Sequence, residues 1–228
     1  MEPEQLPLTV PDGVAPRRLP SHISPMQPEP IDEPFDDPGY LFEPWWPGIR
    51  ALAFAEHGRL RVQVAGLADA LAAVPELGEI PGELREDGVA LDGWLLVLDV
   101  AGRPDAELLR DRLSGGRHGG EPAYVACDLL WSGGRPWTRR PFAARRHELS
   151  QILPGAGRAI VGRGYPGEGH LVAEALSSLG IEALSARRLA ARYRAGPAGG
   201  SWLRAPVTPR RRERPTLALI LKLPLHGG

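Results

Sequence analysis

Proline is concentrated at the N-terminal end of this chain. Ten of the first 38 residues are proline. Each proline fixes φ and lacks a backbone N–H, so neither a regular helix nor a central sheet strand runs through such a segment. Acidic residues are also frequent there, between residues 29 and 37. We therefore predict an extended or disordered arm over residues 1–38, with ordered structure beginning near Tyr40.

Short apolar segments alternate with glycine and proline over residues 39–207, which we predict to form one domain. Strand-like segments lie at residues 49–56, 60–64, 124–130 and 158–161, and residues 89–100 contain two more around Asp92-Gly93. Helical spacing occurs at residues 67–74, 105–113, 142–153 and 168–179. Because no regular strand–helix–strand repeat is present, the pattern predicts an α+β fold with mostly antiparallel sheets. Residues 208–228 are predicted to be a basic tail that ends in a short strand at residues 217–223.

Charge and cysteine content restrict the class of protein. The formal net charge is −1, whereas nucleic-acid-binding proteins are typically strongly basic. Cys127 is the only cysteine, which excludes an internal disulfide and favours a reducing compartment. The sequence has no signal-peptide pattern, and no apolar run approaches the roughly 18–20 residues of a membrane helix. We predict a cytoplasmic protein without a membrane partner.

General catalytic motifs are missing. The sequence contains no P-loop, no HExxH, no CxxC and no GxSxG motif. The six histidines lack the spacing of metal ligands, and we interpret them as surface residues. We predict no metal site built from these residues alone.

Several short motifs between Phe42 and Val207 occur in an order that is informative about the family. They lie at residues 43–50 (EPWWPGIR), 91–96 (LDGWLL), 127–130 (CDLL), 180–188 (GIEALSARR) and 202–206 (WLRAP). In order and spacing they resemble the adenylation domain of bacterial ATP-dependent DNA ligases, especially those of non-homologous end joining. The corresponding family motifs read ExKxDGxR, LDGELV, FDLL, GLEGVVAKR and WLKxK.

The resemblance implies an ATP-grasp-like nucleotidyltransferase fold, ATP and Mg²⁺ as cofactors, DNA as substrate and a role in DNA repair and recombination. In the family, the lysine of the first motif attacks the α-phosphate of ATP and forms lysyl-AMP. The matching residue here is Trp45, whose indole N–H is only a donor. Two further charged positions have become Pro47 and Trp94, and the only lysine of the chain is the distant Lys222. We therefore predict that no catalytic residue is intact and that the chain is a pseudoenzyme.

Part of the family's nucleotide site is retained. The candidate nucleotide-binding residues are Glu43, Arg50, Glu182, Arg187 and Arg204. Arginine keeps its charge and its fork of donors, whereas Cys127 replaces an aromatic side chain expected to stack on adenine. Burial of unpaired charge is costly and burial of aromatic surface is favourable. We therefore expect Trp45 and Trp94 to pack in a partly closed ATP cleft, with doubtful binding of ATP and Mg²⁺.

The remaining basic residues allow two interpretations. Candidate DNA contacts are Arg139, Arg140, Arg145 and Arg146. The alternative is that these arginines form a solvated surface balanced by acidic residues. About twenty residues follow Val207, too few for the OB-fold domain of the family, so we expect none. A non-catalytic module that binds DNA or repair proteins, and a folded product without a retained role, remain alternatives to a ligase-like domain.

Overall fold

The computed structural model describes residues 18–116, 119–155, 157–210 and 214–223. Its strands are β1 (Met26–Gln27), β2 (Glu29–Pro30), β3 (Tyr40–Pro44), β4 (Ile49–Glu56), β5 (Arg59–Val64), β6 (Val89–Leu98), β7 (Glu121–Ser132), β8 (Arg135–Pro136), β9 (Ala159–Val161), β10 (Tyr165–Pro166), β11 (Ala183–Arg188), β12 (Gly196–Pro197) and β13 (Trp202–Pro206). Its α-helices are α1 (Ile80–Glu83), α2 (Ala106–Leu113), α3 (Phe142–Ile152), α4 (Gly169–Ser178) and α5 (Leu217–Lys222). Among these helices, none is long and apolar enough to cross a membrane.

The larger sheet has the strand order β5-β4-β6-β7-β8, with β9 parallel to β7. Strands β4 and β5 form the predicted hairpin, whose turn residues His57 and Gly58 have φ values of 53° and 71°. Two residues with positive φ suit the right-handed twist of a two-residue hairpin. One face of this sheet packs against α3 and the short 3₁₀ helices at Leu71–Ala73 and Pro75–Glu79.

The smaller sheet has the order β10-β3-β11-β13-β2, and its neighbours are antiparallel except for β13 and β2. Its apolar residues form a second core with the other face of the larger sheet and with helices α4 and α5. Alternate side chains of β6 therefore enter different cores. Leu95 belongs to the core beneath α3, whereas Trp94 and Leu96 belong to the core between the sheets.

The N-terminal segment joins both sheets. Strand β1 pairs with β12, and β2 pairs with β13 beside the smaller sheet. Before these strands, the backbone N–H of Leu19 donates to Glu56, and Ile23 exchanges two hydrogen bonds with the side chain of Gln63. Residues 18–30 thus run from the edge strand β5 of the larger sheet to β13 of the smaller sheet, where β2 forms the edge. The remainder of the predicted arm, residues 1–17, lies outside the described residues.

The predicted α+β class with mostly antiparallel sheets is confirmed. The strand predicted for residues 217–223 is wrong, because Leu217–Lys222 is helix α5. Thr216 caps this helix, since its hydroxyl accepts from the N–H of Leu219, and Leu217 and Ile220 lie one turn apart on the buried face.

The helix predicted at residues 67–74 is observed only as a short 3₁₀ turn, Leu71–Ala73. Residues 89–98 form one strand, with an irregularity at Asp92/Gly93 instead of a break.

Gly93 lies at a close approach of β6 and β7. A Cβ atom at this position would lie 2.2 Å from the carbonyl oxygen of Val125, which is backbone and cannot rotate away. We expect Gly93→Ala to lower the free energy of unfolding by about 1–3 kcal/mol, measured by urea denaturation. The control is Gly78→Ala, because a Cβ at exposed Gly78 meets no atom within 4 Å. Equal stability of the two variants would contradict this account of the strand contact.

Candidate functional site

The first family-like motif forms the connection between the two sheets. Strand β3 ends at Pro44, and β4 begins at Ile49 in the other sheet. Between them, the N–H of Trp45 donates to the carbonyl oxygen of Ala183 (3.1 Å). This bond holds Trp45 beside the start of β11, at the mouth of the cleft between the sheets.

Three indoles meet at this position. The ring of Trp45 contacts the edge of the Trp94 ring, with centroids 4.7 Å apart. It also stacks on Trp202 at 6.1 Å and an interplanar angle of 28°. Trp94 and Trp202 are buried, and Trp45 is half-buried. The predicted packing of Trp45 and Trp94 in the cleft agrees with these contacts, but the sequence analysis did not anticipate Trp202 as their partner.

Arginine side chains pack against the faces of two of these indoles. The guanidinium carbon of Arg204 lies 4.5 Å from the Trp45 ring centroid. Those of Arg50 and Arg187 lie 4.3 Å and 4.2 Å from the Trp202 centroid. Such cation–π contacts are favourable by about 0.5–2 kcal/mol. Three of the predicted nucleotide-binding arginines therefore contact aromatic rings of the same chain.

Asp92 is completely buried and binds two groups. Its carboxylate accepts two hydrogen bonds from Arg50 and one from the hydroxyl of Tyr193 (2.7 Å). Burial alone would lower the pKa of Arg50, but the adjacent Asp92 carboxylate more than offsets this and raises it. Burial, together with Asp92, raises the pKa of Tyr193 and keeps its hydroxyl protonated as a donor. The charge of Arg50 is therefore neutralised inside the protein.

Asp128 lies directly opposite Asp92 in the pairing of β6 with β7. It accepts two hydrogen bonds from Arg145, of 2.7 Å and 2.8 Å, and one from Arg187 at 3.3 Å. Arg145 and Asp128 are 2% and 1% exposed. Oppositely charged side chains that are buried together compensate each other, whereas a buried charge without a partner would strongly destabilise the fold.

The third buried carboxylate, beside Asp92 and Asp128, belongs to Glu43 on β3. Its carboxylate lies 2.9 Å from Arg146 and 3.8 Å from Arg187. Burial raises the pKa of Glu43, and the two guanidiniums oppose this effect. Burial likewise raises the pKa of the neighbouring Cys127 thiol to about 12, so this side chain is an inert core residue and not a nucleophile.

Three cavities remain beside Trp45. The first, of about 970 Å³, lies between the Trp45–Gly48 connection and helix α2. The second, of about 800 Å³, is lined by the indoles of Trp45 and Trp94, by Arg50 and Arg204, and by residues of the N-terminal segment such as Gln27. The third, of about 270 Å³, lies beyond Trp45 and includes the exposed Glu182. The cleft is therefore only partly filled, because the indoles occupy its centre and leave space on both sides.

The residues present fit only part of an ATP molecule. The 800 Å³ cavity has the size and the aromatic walls suited to a planar base. The triphosphate fits poorly, because Asp92 neutralises Arg50, and Asp128 and Glu43 neutralise Arg187. Within the described residues, no group of three His, Cys, Asp or Glu side chains could hold a metal ion.

The four candidate DNA contacts separate into two classes. Arg139 and Arg140 are exposed. Arg145 is buried against Asp128, which does not agree with a role in binding DNA. Arg146 is 13% exposed and points toward Glu43 and the carbonyl oxygen of Gly162. The four arginines lie at or just before the first turns of α3. The acidic partners of the last two, Asp128 and Glu43, lie on strands distant in the chain and could not be inferred from the sequence.

Comparisons with known proteins agree with this geometry. The chain is 28% identical over 165 residues to the multifunctional non-homologous end joining protein LigD of Mycolicibacterium smegmatis, covering 72% of this chain and 21% of that protein. For LigD of Mycobacterium tuberculosis the identity is 30% with the same coverage. A solved structure of mycobacterial DNA ligase D complexed with ATP and MES superposes with a TM-score of 0.70 at 29% identity, covering 80% of this chain and 60% of that one. No family model matches the sequence.

The fold is thus the nucleotidyltransferase fold of ATP-dependent DNA ligases. Within that class, the resemblance to the adenylation domain of the bacterial end-joining type, predicted from the ordered motifs, is confirmed. The chain spans about a fifth of the length of these curated relatives.

Removal of Arg145 tests the buried pairing. Arg145→Ala leaves the carboxylate of Asp128 buried, with one charged partner, Arg187 at 3.3 Å, and the backbone N–H of Leu129 at 2.8 Å. We expect a loss of about 3–5 kcal/mol in unfolding free energy. Arg139→Ala removes the same side chain from an exposed site, and we expect a change within about 0.5 kcal/mol. Thermal or urea unfolding measures both. A small effect of Arg145→Ala would show that Asp128 is accessible to water.

Proposed function

We propose that this chain is a non-catalytic, ligase-like adenylation domain that takes part in DNA repair or recombination in the cytoplasm and does not form lysyl-AMP. The observation that carries the proposal is the packing of Trp45, at the family's lysine position, against Trp94 and Trp202. An indole offers no free electron pair for attack on a phosphorus atom. The relatives named as end-joining proteins supply the association with DNA repair.

The electrostatics of the cleft support the same proposal. Arg50 and Arg187, which would otherwise contact an anion, are held by buried carboxylates. Arg204 has no carboxylate within salt-bridge distance in the described part of the chain, but its guanidinium lies on the Trp45 ring. We therefore propose that ATP binds weakly at most, through its base, and that the described residues build no site for Mg²⁺.

Labelling with ATP tests the absence of lysyl-AMP. The protein is incubated with α-labelled ATP and Mg²⁺ and separated on a denaturing gel, with mycobacterial DNA ligase D as the positive control. We expect a labelled band for the control and none for this chain, because the nucleophilic amine is missing. A labelled band at the mass of this chain, removed by substitution of its one lysine, Lys222, would overturn the proposal.

Restoring the amine alone should not restore the reaction. Trp45→Lys supplies a nucleophile, but Pro47 and Trp94 remain, and Arg187 stays paired with Asp128. Loss of a single group that stabilises transition-state charge costs roughly 100–1,000-fold in rate. We therefore expect labelling of Trp45→Lys at least about 100-fold slower than that of ligase D. Labelling at the rate of the control would show that the rest of the cleft is competent.

A second candidate function is a module that binds DNA or a repair protein without catalysis. The observation that favours it is the exposure of Arg139 and Arg140, neither of which has a carboxylate partner among the described residues. Binding of labelled duplex DNA, and its weakening by salt, tests this role. The two candidate functions are compatible, since DNA binding needs no lysyl-AMP.

A further inference from the structure

The N-terminal segment bridges the cleft from one sheet to the other. At one end, the backbone of Ile23 exchanges two hydrogen bonds with the side chain of Gln63 on β5. At the other end, the N–H of Ile31 donates to the carbonyl oxygen of Arg204 on β13 (3.0 Å). Strand β5 belongs to the larger sheet and β13 to the smaller one. The chain between these two ends therefore spans the cleft.

Residues 27–30 form part of the wall of the 800 Å³ cavity. Three of these four residues line it, and so do two of the three indoles of the cleft. In an extended segment, alternate side chains point to opposite faces. Pro28 and Pro30 accordingly lie on the cavity side, and Glu29 between them is not part of the lining. Displacement of the two prolines would therefore widen the cavity.

The carboxylate of Glu29 is bound by two successive backbone N–H groups. Gly199 donates to one of its oxygens at 2.7 Å, and Gly200 donates to the other at 2.9 Å. Both glycines have a positive φ, of 58° and 75°, which residues with a side chain rarely adopt. Successive N–H groups in such a turn form an anion-binding concavity. The loop before β13 thus holds the N-terminal segment through this carboxylate.

Residues 27–30 have few other attachments. None of their side chains is buried, whereas Met26 before them is 5% exposed and Ile31 after them packs against the core between the sheets. Two of the four are prolines without an N–H, and their backbone pairing is limited to the two-residue strands β1 and β2. Segments with little buried apolar surface and few backbone hydrogen bonds open locally at low cost. The position of this stretch consequently depends on the Glu29 contact.

We infer that residues 27–30 are a strap that closes the 800 Å³ cavity, that Glu29 is its latch, and that release of the latch admits a planar ligand. The inference rests on the base-binding cavity proposed above and adds control of access to it. When only the open form binds, the apparent affinity is the intrinsic affinity multiplied by the open fraction. Release of the latch therefore strengthens binding, whereas damage to a rigid wall would weaken it.

Hydrogen exchange of the full chain, measured by NMR, tests the latch. Glu29→Ala removes it, and Glu33→Ala is the control, because Glu33 is an exposed acid of the same N-terminal segment. The N–H groups of Ala198 and Ile31 report opening, since they bond at the two ends of the strap to acceptors other than the Glu29 side chain. Loss of a hydrogen bond to a charged group shifts an equilibrium roughly tenfold. We expect exchange about tenfold faster in Glu29→Ala and unchanged in Glu33→Ala.

Calorimetry with adenosine tests access to the cavity in the same proteins. We expect Glu29→Ala to bind adenosine about tenfold more tightly than the wild type, and Glu33→Ala to match the wild type. Glu29→Gln keeps the size of the side chain and one acceptor oxygen but not the charge, so its affinity should lie between those of Glu29→Ala and the wild type. Circular dichroism verifies that all four proteins are folded.

The other outcomes separate the strap from the base-binding cavity. Unchanged exchange in Glu29→Ala would show that Glu29 does not hold the strap and would overturn the inference. Faster exchange with weaker or unchanged adenosine binding would make the strap a simple wall, which overturns the inference and leaves base binding standing. No adenosine binding by any of the four proteins would overturn both. The labelling experiment tests the absence of lysyl-AMP independently of these results.

Discussion

The neutralisation of buried carboxylates by arginines is the constraint on which this cleft depends. Asp92 and Asp128 face each other across β6 and β7, where two like charges would repel. Arg50 pairs with the first, and Arg145 with Arg187 pairs with the second. These pairs tie the larger sheet to α3 and to β11. Their arginines are consequently engaged with the protein itself and are poorly available to a bound anion.

The packing of the three indoles is explained by the same cost of burying unpaired charge. In a cleft between two sheets, charged side chains without partners are costly, and apolar contact is favourable. Trp45, Trp94 and Trp202 form one aromatic cluster whose faces are covered by arginines. The cluster fills the centre of the cleft and leaves the 800 Å³ cavity at its side. A ligase-like architecture is thus maintained around an aromatic cluster at the centre of the cleft.

The sequence allowed more of the fold than of the site to be predicted. Apolar periodicity and turn residues identified the β4–β5 hairpin and α4, because these elements form from neighbouring residues. The tail was mistaken for a strand, since a short apolar run has no decisive period and Thr216 was not considered as a helix cap. Arg145 was predicted to contact DNA, because a sequence of adjacent arginines does not reveal which of them faces Asp128.

The amino-acid sequence by itself determined the α+β class and the resemblance to ligase adenylation domains, and it predicted that Trp45 occupies the family's lysine position. These properties depend on residue identity and local order. Only the tertiary structure decided which charges are free. It paired Arg50, Arg145 and Arg187 with carboxylates on other strands. Ion pairing depends on distances of a few ångströms between residues far apart in the chain, which no linear pattern records.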